Sequence, residues 1–297
     1  MRAMVIFNFF SIYFFWGSSF IANKIIMKEV PPLFTAGCRF SLAALFFHFI
    51  YLYEKKRAAK HFAVIDRKNF VKIAISGVLL FGLGSGFLIL GQVGVSTGEA
   101  SLWMALIPLF MLMIDYPFFK GRKPNLLDFI SLIIGFFGIY VVSMDNLNVS
   151  GSSLLYSLLL SISALAWAFG SFIQKSVNSH ISLFNVCKWQ MIIGSIALFT
   201  MSFFNHEMNL VSFKSLSLTT WYFIFHLSFF SSVIAFGSFS QLLKEVDAQK
   251  VSTYAYVNPI IALFLGYYFL NERIGPKVIV GAVLVLISIM LVLNNPW

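Results

Sequence analysis

AQKVSTYAYVNPIIALFLGYYFLNER, residues 248–273, reads as one membrane span with a proline, Pro259, in its middle and an acid–base pair, Glu272 and Arg273, at its end. Proline lacks an amide donor and collides with the preceding turn, so the helix is expected to bend or open there. Inside a bilayer, irregular backbone is tolerated where it faces protein or a watered cavity. A second stretch of the same build, ASLWMALIPLFMLMIDYPFFKGR (100–122), carries Pro108 in the matching place.

The two prolines stand 151 residues apart, and the same offset relates Trp16 to Trp167, Lys24 to Lys175 and Trp103 to Tyr254. The first span ends WGSSFIANK and its counterpart ends WAFGSFIQK. Four matched positions in one ungapped register identify an internal duplication, expected to divide the chain into 1–145 and 146–297.

Composition sets the class. The 297 residues are 59% hydrophobic and 11% charged, with 36 Phe, against roughly 25% charged in soluble domains. A mean hydropathy of +0.87 cannot be hidden in one soluble core of this size, so the chain is read as an all-α polytopic membrane protein. Cys38 and Cys187 both lie in apolar stretches without CxxC or CxxH spacing and are read as small apolar residues. The net charge of +10 would suggest a nucleic-acid partner for a soluble chain. Here the basic residues gather in a few loops, so topology accounts for them and no nucleic acid is expected.

A membrane helix needs about 20 mainly apolar residues. Ten such segments are legible: 4–23, 33–53, 70–92, 99–119, 126–144, 152–174, 182–204, 219–241, 250–270 and 277–294. The first is expected to be retained rather than cleaved, since no small-x-small site follows it. With the N-terminus in the cytoplasm, fifteen Lys and Arg face that side, seven of them between Lys55 and Lys72, and five face the other. Both termini are therefore expected inside. Five spans per repeat is an odd number, so the second copy enters from the opposite side. This gives two inverted five-helix repeats, with a substrate site expected near the midplane between them. Gly82 with Gly86, and Gly94 with Gly98, stand four apart and predict close helix packing.

The order of these features resembles a ten-span member of the drug/metabolite transporter superfamily, of the EamA type. The resemblance is carried by WGSSFIANK (Trp16–Lys24), RFSLAAL from Arg39, the proline-centred fourth and ninth spans, and LNER (Leu270–Arg273). The first repeat departs from it, with Lys120, Gly121 and Arg122 where the second has Asn271, Glu272 and Arg273. The resemblance implies an alternating-access carrier, not an enzyme, in a bacterial cytoplasmic membrane, exporting or exchanging small polar metabolites such as amino acids. Its expected partners are a small-molecule substrate and the lipid bilayer, with the chain acting as a monomer or homodimer.

Candidate site residues follow from spacing. Trp16, Ser19 and Asn23 share a helix face at i, i+3, i+7, and Trp167, Gly170 and Gln174 form the equivalent face. Trp with hydrogen-bonding groups suits a cavity for an organic molecule with polar ends, and equally suits helix packing. Trp103 and Tyr254 each precede their repeat's proline by five residues, and Asn258 abuts Pro259. The carbonyls of Met104 and Ala255 lose their usual partner there, and with Asn258 they can receive a substrate ammonium. Trp16/Trp167 and Trp103/Tyr254 also suit an adenine sandwich, so a nucleoside-bearing cargo stays as the second reading. Intramembrane charges are suspects by default. Arg39, Glu99 and Lys24 fall at the outer ends of spans two, four and one, and are expected to form an outer gate or to snorkel to water. Asp115 and Asp128 are read as solvated caps, and His48 and His226 as local hydrogen-bonders. No acid sits at the centre of a span, so the sequence shows no signature of proton or sodium coupling. No phosphate loop or HExxH occurs, and GxSxG fails at Ser85 because Leu83 stands where the first Gly belongs. No cofactor or metal is expected.

Overall fold

A computed structural model describes residues 2–57, 62–119, 123–144, 152–207, 216–246 and 251–293. Lys60, Lys120, Gly121, Arg122, Lys214 and Lys250, which enter the charge count and the repeat comparison, lie outside these residues, as does the 145/146 boundary. The described residues form ten helical rods: α1 (Arg2–Ile26), α2 (Pro32–Arg57), α3 (Arg67–Gly94), α4 (Thr97–Phe119), α5 (Leu126–Ser143), α6 (Ser152–Lys175), α7 (Leu183–Phe204), α8 (Leu218–Glu245), α9 (Tyr254–Leu270) and α10 (Pro276–Leu293). Through α8 these rods are long and apolar enough to cross a bilayer, while α9 and α10 are shorter apolar helices. Large side chains such as Ile133, Leu155 and Phe264, exposed by 70%, 55% and 63%, would be an aggregation surface in water and are at home against lipid.

Packing obeys an internal two-fold. α3 packs on α6 as α8 packs on α1, and α4 on α6 as α9 on α1. α2 pairs with α7 and α5 with α10, each helix meeting its own counterpart. Exchanging every helix with the one five along maps these contacts onto each other, as two inverted repeats require. The ends sort accordingly. At one end the Ser217 amide donates to Glu29 and the Phe34 amide to Glu207, each at 2.9 Å. At the other the Lys72 ammonium donates to the Ser176 carbonyl at 2.6 Å, and the Ala63 amide to His180 at 3.1 Å.

Glycines set the helix approach. A Cβ at Gly94 would lie 1.9 Å from the Tyr156 ring, and one at Gly98 2.2 Å from Leu263. The expected prolines act unequally. α4 is interrupted by a turn at Ala105–Leu106, just before Pro108. In the second repeat the turn falls at Ser252–Thr253, and α9 then runs unbroken through Pro259. The expected opening at Pro259 is thus displaced to the residues before Tyr254. Pro259, the sixth residue of α9, removes one ladder bond, the one that the Ala255 carbonyl would accept, and the helix continues past it. Asp128 does cap, closing a box with Asn125 at the start of α5, but it is fully buried rather than solvated.

One feature has no sequence signal: α3 and α8 each contain a π-helical segment, Val78–Ser85 and His226–Ala235, at near-equivalent places in the two repeats. Such wide turns redirect side chains and are frequent at functional sites.

Candidate functional site

α1 carries Trp16, Ser19 and Asn23 to the molecular centre, where the inverted counterpart α6 presents Trp167. Trp16 meets Trp167 edge-on at 5.4 Å between ring centres, and meets Tyr254 edge-on at 5.0 Å. Edge-to-face contact suits the ring quadrupoles. The Trp16 Nε1 donates to the Ser231 carbonyl at 3.2 Å, so the α8 π segment holds the ring in place. These aromatics, with Ser19, Asn23 and Asn258, line a central cavity of about 60 Å³ that also receives Arg39, Ser85 and Met104. At ~10–15 Å³ per water it holds roughly four to six waters. Ligand pockets are typically ~300–1,000 Å³, so this cavity is small by that measure.

Six of the eight expected binding residues meet here: Trp16, Ser19, Asn23, Trp167, Tyr254 and Asn258. Gln174 does not. It donates to Ser240 at 2.7 Å and lines a separate cavity of about 160 Å³ with Lys175 and Lys244. Inversion explains this. Trp16 and Trp167 are near mid-depth and stay together, whereas Asn23 and Gln174 lie near helix ends and are sent to opposite ends. Trp103 is also outside the lining, packed in the core with no partner for its Nε1. The interruption of α4 presents Met104 and Ile107 to the cavity instead. With Trp103 absent and Trp16 edge-on to Trp167, the parallel aromatic walls of an adenine sandwich are not formed.

Several polar atoms at the site are unsatisfied. The Tyr254 hydroxyl, Asn258 Oδ1 and Trp167 Nε1 are buried without a hydrogen bond. The Trp167 N–H and the Tyr254 hydroxyl face each other without reaching bonding geometry. A buried polar atom left unpaired costs about 1–3 kcal/mol. By contrast Asn23 is spoken for, its Nδ2 donating at 2.9 Å to Gln92, whose own Nε2 donates to the Phe20 carbonyl. Ser85 and Ser231, one from each π segment, line the cavity, and Gln92 backs it by holding Asn23; sequence spacing does not reveal them, since it is the packing of other helices that brings them there.

The expected outer gate is not formed as a pair. Arg39 does not meet Glu99: its Nε donates to Ser232 at 2.7 Å and its Nη2 to Ser231 at 3.0 Å, with the guanidinium 4.7 Å from the Phe40 ring centre. Glu99 instead accepts from Ser143 at 2.8 Å. The reason is helix rotation, since Arg39 on α2 faces the α8 π segment while Glu99 on α4 faces α5. Lys24 lies within electrostatic reach of Glu272 and Glu99.

At the Lys24 end the contact between the repeats is made by Glu272. α9 ends at Asn271 in the left-handed conformation (φ 54°), and the Glu272 amide returns to the Gly266 carbonyl at 3.1 Å. This turn aims the Glu272 carboxylate at the N-terminus of α4. It accepts from the Thr97 amide at 3.0 Å and from the Thr97 hydroxyl at 2.6 Å. A carboxylate on the free amides of a helix start is favoured by charge and by dipole. Gly266 makes room, since a Cβ there would lie 2.2 Å from the Thr97 Oγ1 and 2.5 Å from the Glu272 Oε2. The contact joins one repeat to the other at the Lys24 end.

The sequence profile of the EamA-like transporter family matches residues 3–144 and again 154–294. An uncharacterized transporter, YoaV, of Bacillus subtilis is 26% identical over 97% of this chain and 96% of its own length. An uncharacterized inner membrane transporter, YedA, of Escherichia coli K12 is 29% identical over 86% of this chain and 80% of its own. A probable amino-acid metabolite efflux pump of the same strain is 24% identical over 91% and 88%. A crystal structure superimposes with a TM-score of 0.69 at 13% identity, over 98% of this chain and 97% of its own, which shows a shared fold. With ten apolar helices in two inverted halves, a central cavity between them, and the family profile matched in each half, this integral membrane protein belongs to the EamA-like transporter family.

Proposed function

We propose that the protein is a secondary transporter that moves small polar metabolites of the amino-acid class by alternating access. The observation that carries it is the cavity at the junction of the repeats, walled by Trp16, Trp167 and Tyr254 and holding unpaired polar atoms on Tyr254 and Asn258. Aromatic walls with a few convergent polar groups suit a small organic molecule. The printed name of one relative, a probable amino-acid metabolite efflux pump, supports the cargo class.

Tyr254→Ala and Asn258→Ala test it. Each is expected to lower amino-acid counterflow in proteoliposomes tenfold or more while membrane abundance stays near wild type. If both carry amino acids at the wild-type rate, the central cavity is not the substrate site. The same reading places both termini and the 54–72 segment in the cytoplasm, on the basis of the fifteen-to-five division of Lys and Arg. A cysteine in 62–66 is expected to resist impermeant maleimide in intact cells, and ready labelling there would reverse the orientation.

A further inference from the structure

Arg39 is eight residues into α2, 8% exposed, and lines the cavity centre. Among the described residues it is the only Lys, Arg, Asp or Glu in that lining. Its hydrogen bonds go to two neutral hydroxyls, Ser231 and Ser232, and among the described residues no carboxylate offsets its burial. A guanidinium has five N–H donors in a planar fork shaped to carboxylate and phosphate. Here Nε and Nη2 are engaged, while Nη1 has no protein acceptor among the described residues. A buried cation without a counter-ion is costly and calls for one, and charges inside spans mark substrate paths. The repeat-equivalent position holds a neutral side chain, Gln190, whose Nε2 donates to Ser76 and Gln174, so the repeat architecture itself does not require a cation there.

We infer that Arg39 is the anchor for a substrate carboxylate, and that the central cavity selects organic acids, with or without an amino group, over organic cations. This rests on the amino-acid reading above and deepens it. The carboxylate takes the free edge of the guanidinium, while Ser231 and Ser232, themselves fixed by the π turn through the Ser232 hydroxyl bond to the Leu227 carbonyl at 2.9 Å, position the other edge. The rest of the molecule lies against Trp16, Trp167 and Tyr254. Asn258 Oδ1 and the Tyr254 hydroxyl, buried and unpaired, accept whatever N–H the ligand offers. Neither acceptor is charged, so a free ammonium is welcome but not required, and an N-acylated amino acid meets the same demands. An amine or an amino-acid amide would bring a cation to a site that already holds one.

Purified full-length protein is tested by thermal shift and by proteoliposome counterflow with two matched sets, built on leucine and on phenylalanine. Each set contains the amino acid, its N-acetyl derivative, its amide and its decarboxylated amine. The two acids are expected to bind at least tenfold tighter than the amide and the amine. In Arg39→Gln the discrimination is expected to fall below threefold, and Arg39→Lys is expected to keep most of it. Wild-type protein that takes amide and amine as well as the acids overturns the anchor and leaves the amino-acid reading standing. A folded Arg39→Gln that still discriminates tenfold overturns the anchor as well. Wild-type protein that responds to no member of either set overturns the amino-acid reading, and the anchor with it. Should Arg39→Gln fail to fold, the wild-type series alone decides.

Discussion

Glu272→Ala is expected to leave the protein open at the Lys24 end for much of the time. The substitution removes the carboxylate that the Thr97 amide and hydroxyl both donate to, leaving the hydroxyl only the Ala262 carbonyl, and takes a negative charge from the start of α4. Bonds to a charged acceptor contribute about 1.5–3 kcal/mol each. On a partly exposed carboxylate the loss totals about 2–3 kcal/mol, or roughly a 30- to 150-fold change in the open-to-closed ratio. The effect is one-sided because the latch has no repeat counterpart. The positions equivalent to Glu272, Thr97 and Gly266 are Gly121, Ala248 and Asp115, and none of these can rebuild it. Labelling of a Ser19→Cys reporter, with Cys38 and Cys187 changed to Ala, reads the opening directly. Impermeant maleimide added from the Lys24 side is expected to react at least tenfold faster in Glu272→Ala. Gly266→Ala is expected to act alike by a different route, since its Cβ would wedge between Thr97 and Glu272. Unchanged labelling in both variants would show that the contact holds nothing shut.

The second large effect falls where α5 crosses α10. A Cβ on Gly281 would lie 2.5 Å from the Gly138 carbonyl oxygen and 2.3 Å from Val142 Cγ2. Side chains can rotate away from such a contact but a backbone carbonyl cannot, so the helices must separate. Overpacking of this kind costs about 1–3 kcal/mol, and a backbone obstacle puts Gly281→Ala at the upper end. In a bilayer close packing is itself the main force between helices, since lipid is as apolar as the side chains. Gly281→Ala is expected to lower the melting temperature in detergent and the yield of monodisperse protein. Gly275→Ala is the control, because nothing lies within 4 Å of its Cβ position and no glycine among the described residues has positive φ. If the two variants melt together, the α5–α10 crossing is looser than the structure indicates.

The amino-acid sequence by itself determined the ten spans, their inversion and the meeting of the two tryptophans. These are properties of short windows and of one offset: a run of about 20 apolar residues is a span wherever it packs, an odd number of spans inverts the second copy, and residues near mid-depth stay near each other after inversion. Trp16 and Trp167 satisfy that last condition. Gln174 matches Asn23 equally well in register but lies near a helix end, so inversion carries it away from the cavity. Tertiary structure alone decided the rest. Arg39 bonds to Ser232 across 193 residues of chain and Glu272 to Thr97 across 175, and no local pattern encodes how far each helix is rotated about its axis. The π segments of α3 and α8 have the composition of ordinary apolar helix, yet their wide turns place Ser231 and Ser232 beneath the Arg39 guanidinium. Helix rotation and one extra residue in a turn decide which side chains face the centre, and both are set by packing between helices rather than by the residues of any one of them.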